Sequence, residues 1–175
     1  MLPSQSGSRA PDTTRTIVIV VICFGVLASA ALAFRLLKSP KIRFETDGYR
    51  AMDRSNAEGK LIVSYQHVKG TERSLAFERK VLAHPKVIAE RDRYIWLEGA
   101  FDANSSDPLG KTLAEGIGDK VKIRLYSVGM VHVLAWDDAA DQLTPERFLA
   151  LLAAGREGPE AFGRFRAERE AELQR

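Results

Sequence analysis

The chain reads as an α/β sandwich, a central mixed four-stranded sheet with helices on both faces, preceded by one transmembrane helix. Three observations carry that reading. Segments with apolar residues at helical spacing alternate with short β-branched and aromatic runs, and the last two such runs are separated only by a short glycine-containing turn. The residues that follow an N-terminal apolar stretch amount to about one ordinary domain, enough to bury a single core.

Residues 1–15 are rich in Ser, Thr, Pro and Gly with almost nothing apolar, and read as a disordered tail. From Thr16 to Phe34 there are 19 residues without a charge. As a helix they would extend about 28 Å, close to the thickness of the hydrocarbon core. Arg15 before the run, and Arg35 and Lys38 after it, can place their charges in the two headgroup layers, so residues 16–37 are assigned to the lipid bilayer. A cleaved signal peptide is the rival, because the small residues from Ala28 to Ala33 offer cleavage patterns. The apolar run is longer than the roughly 7 to 15 residues of a signal core. A lipoprotein reading is weaker, since Ile22 precedes Cys23 where a small residue would be expected. The expected location is therefore a cell membrane, a bacterial inner membrane, with a single pass. Arg35, Lys38, Lys41 and Arg43 outweigh Arg9, Arg15 and the terminal amine, which favours a cytoplasmic domain, while a segment of this size can also translocate, leaving a periplasmic domain open.

Residues 38–46 form a basic linker containing Ser39-Pro40, and the folded domain is placed at residues 47–155. Gly48 to Glu58 reads as a helix ended by Gly59, and Lys60 to Gln66 as a strand. Thr71 to Ala83 is the next helix, with Thr71 as its N-cap and Ser74 in its first turn facing solvent. His84-Pro85 restarts a helical turn, proline being well placed at a first helical position. Tyr94 to Glu98 is a strand, Asp107 to Ile117 a helix ended by Gly118, and Val121 to Tyr126 and Val131 to Trp136 are strands joined across Gly129. Thr144-Pro145-Glu146 opens a helix running through Ala154. Residues 156–175 are a charged helical tail in which Phe162 and Phe165 form a short aromatic edge. That edge either packs back on the domain or docks into a partner.

Charge narrows the function. The net charge of +3 is uneven: residues 1–43 hold six Lys/Arg and one acid, leaving 20 bases and 22 acids for the rest. A near-neutral domain lacks the basic excess of a nucleic-acid binder, so no nucleic-acid partner is expected. The sole cysteine, Cys23, lies in the apolar stretch, so the domain has no internal disulfide, thiolate metal site or dithiol pair. His67, His84 and His132 fall on different elements without short ligand spacing, and no carboxylate is placed by sequence to orient His67; no metal, cofactor or small-molecule substrate is expected. Gly110, Gly116 and Gly118 do not make a phosphate loop, because no glycine-rich turn joins a strand to a helix bearing Lys-Ser or Lys-Thr.

Several segments resemble thioredoxin-like domains. Glu58-Gly59-Lys60-Leu61-Ile62-Val63-Ser64-Tyr65 resembles their strand entry, and Phe77-Glu78 through His84-Pro85-Lys86-Val87 resembles the helix ending before an Asp-Pro-x-Val turn. Tyr94 to Glu98 with Phe101-Asp102, Val131 to Asp137, and Thr144 to Leu149 resemble the later strands and the start of the last helix. The resemblance runs from near 46 to near 155, about 110 residues, and is stronger in order and spacing than in any one motif. It implies a thioredoxin-like sandwich, but the C-x-x-C cysteines would fall at Thr71 and Ser74, and the family's cis-proline near Val131. A non-proline cis bond costs about 2.5 to 4 kcal/mol, so that loop is expected to be trans. With both parts of the redox site replaced, the resemblance implies a redox-inactive domain. The expectation is a non-catalytic, membrane-tethered interaction or scaffold subunit that stabilises an integral membrane protein complex, with Thr71, Ser74, Val131, Phe162 and Phe165 as candidate partner contacts. The alternative is a redox accessory or other enzyme whose site a partner or metal completes.

Overall fold

The computed structural model describes residues 41–174. The tail, the apolar stretch and the first residues of the linker lie outside them; among the described residues no helix is long and apolar enough to cross a membrane. The sheet has five strands rather than four: β1 (Phe44–Glu45), β2 (Leu61–Val68), β3 (Tyr94–Phe101), β4 (Lys122–Tyr126) and β5 (Val133–Asp137), in the order β1-β3-β2-β4-β5. The added strand comes from residues read as linker. It spans two residues and is recognisable only by its parallel pairing to β3, Phe44 opposite Trp96 and Glu45 opposite Leu97. β2 and β3 are parallel, whereas β4 runs antiparallel to both β2 and β5.

The helices are α1 (Gly48–Glu58), α2 (Glu72–Phe77), α3 (Pro85–Ala89), α4 (Pro108–Ile117), α5 (Pro145–Glu157) and α6 (Pro159–Leu173). Their starts are encoded locally. The side chains of Asp47, Thr71, Asp107 and Thr144 each accept a first-turn backbone N–H, and proline follows two of these caps. α2 does not continue as one α-helix to Ala83. It widens into a π-helical turn at Glu78–Leu82, closed by the Ala83 N–H donating to the Glu78 carbonyl.

Helices cover both sheet faces, as the alternation predicts. One face carries the main core, in which Val63, Tyr65, Trp96, Ile123 and Leu125 meet Phe77, Val81, Phe148, Leu151 and Leu152. The other is shared by two smaller clusters, Ala51 with Ile62 and Ile95 beneath α1, and Val68 with Ala114 and Ile117 beneath α4. α5 approaches the sheet so closely that a β-carbon on Gly155 would stand 2.5 Å from Leu125 Cδ2 and 2.8 Å from Ala135 Cβ. Glycine is required there for space.

α6 turns back at Gly158, whose φ of 114° suits glycine. It buries Ala161, Phe162 and Phe165 in the main core, with the Phe162 ring 4.7 Å from that of Trp136. Arg169 closes the far end of this packing through a 3.3 Å ion pair with Asp137, both side chains nearly buried.

Candidate functional site

The carboxyl ends of the two parallel strands β2 and β3 bring together the groups most capable of chemistry. Tyr65 and His67 are two residues apart on β2 and therefore share a sheet face, and the parallel register sets Glu98 of β3 opposite Tyr65. His67 Nε2 lies 3.0 Å from Glu98 Oε1. The Tyr65 phenol donates to Glu78 Oε1 at 3.0 Å, and Glu78 is the first residue of the π-helical turn. The Tyr65 and His67 rings stack, so the four side chains form one cluster.

His67 is 4% exposed and its Nδ1 is buried without a hydrogen-bond partner. Glu78 and Glu98 are half-buried, and among the described residues neither is ion-paired to a lysine or arginine. Burial, reinforced by the two carboxylates, pushes the Tyr65 phenol well above its ordinary pKa and keeps it a neutral donor. The His67, Glu78 and Glu98 ligand atoms all lie within 4.8 Å of one another.

The expectation that no carboxylate orients His67 is corrected by this geometry. Nothing local in the sequence links residues 67 and 98. Period-two alternation on β2 and the parallel β2–β3 register are both needed to see that they meet.

Thr71 and Ser74 sit next to the cluster, just beyond the end of β2. Thr71 Oγ1 donates to the Val68 carbonyl at 3.1 Å and accepts the Ser74 N–H at 3.3 Å. The expectation of a solvent-facing Ser74 is overturned: it is fully buried, and its Oγ donates to the Thr71 carbonyl at 2.9 Å. Both hydroxyls are occupied in closing the first turn of α2.

Val131 does not join them. Because β4 is antiparallel to β2, with Gln66 opposite Lys122 and Ile62 opposite Tyr126, the β4–β5 turn lies at the other end of the sheet, about 16 Å along the strands. Val131 is 69% exposed there, and the neighbouring Gly129 N–H donates to Ser55 of α1. The loop that does face α2 precedes β4: Arg73 reaches from α2 to Asp119 at 3.1 Å and to Asp141, whose carboxylate also accepts the Val121 N–H. Val131, read as the position of the family's cis-proline beside Thr71 and Ser74, is therefore not beside them. Among the described residues there are no cis peptide bonds. Phe162 and Phe165, each 6% exposed, lie in the core and offer no surface to a partner while α6 is docked.

This strand order and helix placement define a thioredoxin-like α/β fold. The chain is similar in structure to a DsbH oxidoreductase, with a TM-score of 0.51 at 9% sequence identity, over 66% of this chain and 84% of that one. It also aligns with a thioredoxin from Thermus thermophilus, with a TM-score of 0.46 at 15% identity, over 62% of this chain and 82% of that one. No protein-family model and no curated protein matches the sequence.

Proposed function

We propose that this chain is a non-catalytic, membrane-tethered interaction subunit, in which residues 16–37 anchor a thioredoxin-like domain that stabilises a larger membrane protein assembly. The observation that carries the reading is the fate of the two positions where the resemblance expects cysteines. Thr71 and Ser74 have no thiol, and both hydroxyls are committed to the α2 cap. Thiol exchange needs an attacking thiolate and a second sulfur, and residues 41–175 contain no cysteine. A domain held at the membrane meets its partner at raised effective concentration, so modest contacts suffice. The flanking charges favour a cytoplasmic domain.

Mild-detergent extraction of the full chain from its own membranes, followed by native sizing and mass spectrometry, tests the proposal. Stoichiometric migration within a large membrane assembly is the expected result. Migration as a monomer, or disulfide-reductase activity of the purified chain, would overturn it.

A further inference from the structure

The cluster at the carboxyl end of β2 and β3 is incomplete as a set of protein groups. A neutral imidazole has one donor and one acceptor nitrogen, and a charged one has two donors. His67 turns Nε2 toward Glu98, so Nε2 is the nitrogen offered to a ligand, while the buried Nδ1 has no partner among the described residues and takes no part in the site. Among the described residues it is the carboxylates that lack a counter-charge. Glu78 and Glu98 converge from two different elements on a half-buried site, and the groups bonded to them are one phenol and one imidazole. Carboxylates drawn part-way out of water favour a neighbouring cation.

We propose that His67, Glu78 and Glu98 form a binding site for a divalent first-row transition-metal ion. The donor set, one imidazole and two carboxylates, is of the kind that suits Zn²⁺, Mn²⁺, Fe²⁺ or Co²⁺, and lacks the sulfur that favours Cu(I). The spacing fits. Two ligands about 2.1 Å from a metal stand about 3.0 Å apart when adjacent in an octahedron and about 3.4 Å apart in a tetrahedron. His67 Nε2 and Glu98 Oε1 are already 3.0 Å apart. The bound of 4.8 Å on the remaining separations exceeds the roughly 4.2 Å between opposite ligands by about half an ångström, a shift within reach of glutamate rotamers.

The ligands come from β2, β3 and the π-helical turn that follows α2, so one ion ties together three elements that no disulfide links. Three protein ligands leave at least one position for water. Tyr65 keeps Glu78 in place by its hydrogen bond and holds the imidazole flat by stacking, so the site is oriented before the ion arrives. The inference is independent of whether the chain joins a membrane assembly.

The test uses the full chain in detergent, stripped with a chelator and titrated with Co²⁺ and then Zn²⁺ alone. One Co²⁺ per chain, with visible d–d bands that Zn²⁺ displaces, is expected, together with a rise in the thermal unfolding midpoint. Glu78→Gln and Glu98→Gln keep side-chain size and one acceptor oxygen each, and circular dichroism should show the parent fold. Each should weaken Co²⁺ binding by about tenfold or more and abolish the midpoint rise. A control chain carrying Cys23→Ser and His132→Ala should bind as the parent does. Absence of saturable binding up to millimolar ion would overturn the proposal, as would binding unchanged in a folded Glu78→Gln/Glu98→Gln chain.

Discussion

The ring of Tyr65 lies flat against the imidazole of His67, centroids 4.3 Å apart and planes 11° from parallel, while its phenol points to Glu78. That arrangement holds only while the phenol keeps its proton. Burial raises the Tyr94 phenol as well.

A dependence on alkaline pH follows. For a group whose pKa is raised on folding, the stabilisation is complete below the unfolded-state value and is lost as pH rises above it. For tyrosine that point is about 10. Deprotonation of the two phenols in the unfolded chain should therefore lower stability progressively as pH rises beyond about 10. Urea unfolding at pH 8, 10 and 11 should show a steep fall in the parent and a clearly shallower one in Tyr65→Phe/Tyr94→Phe. Equal slopes would refute the assignment.

Gly155→Ala should destabilise the domain by about 1 to 3 kcal/mol, because its β-carbon must displace Leu125 and Ala135. Gly163→Ala is the control, since a β-carbon there meets nothing within 4 Å. Its unfolding midpoint should equal or exceed that of the parent.

Phe162→Ala should cost about 3 to 5 kcal/mol by opening a cavity against Trp136. The loss is measurable by denaturant titration followed through tryptophan fluorescence. Removing everything after Gly158 should be at least as damaging. A truncated chain that also fails to associate would say nothing about docking unless its fold were checked first.

Arg169→Ala leaves the nearly buried Asp137 without its cation and should cost about 3 kcal/mol. Adding Asp137→Asn should recover part of that loss, and a double-mutant cycle measures the coupling. Strict additivity would show that the pair contributes nothing.

Legibility in the sequence followed the range of the interactions. Helix starts rest on side chains that bond within three residues, so the sequence shows Thr71 as a cap and helix openings at Asp107 and Thr144, and Gly59 bounds Gly48–Glu58; Asp47 joins them as a cap only in the structure. The β-branched and apolar character of β2, β4 and β5 is equally plain, although only β2 is a buried run. What escaped depends on pairing between distant segments. Phe44 and Glu45 carry no strand signal of their own and become a strand only against Trp96 and Leu97. Glu98 becomes the partner of His67 through the β2–β3 register, and Val131 is separated from Thr71 by the direction of β4. The π-helical turn at Glu78 is not legible because Phe77 and Val81, four residues apart, also fit an ordinary α-helical face.

The two-residue strand β1 has a mechanical consequence. Tension entering the domain at Lys41 reaches β1 before any other strand, and β1 is joined to the sheet by the short ladder to β3. Phe44, which packs on Tyr65 and Trp96, and the Glu45–Arg54 ion pair add to that hold. Pulled from that side in an optical trap, the chain should yield a first extension of about 2 nm as residues 41–46 peel away, ahead of the main rupture. The edge strand then behaves as a fuse, and the ring it uncovers is the one that holds His67 in place.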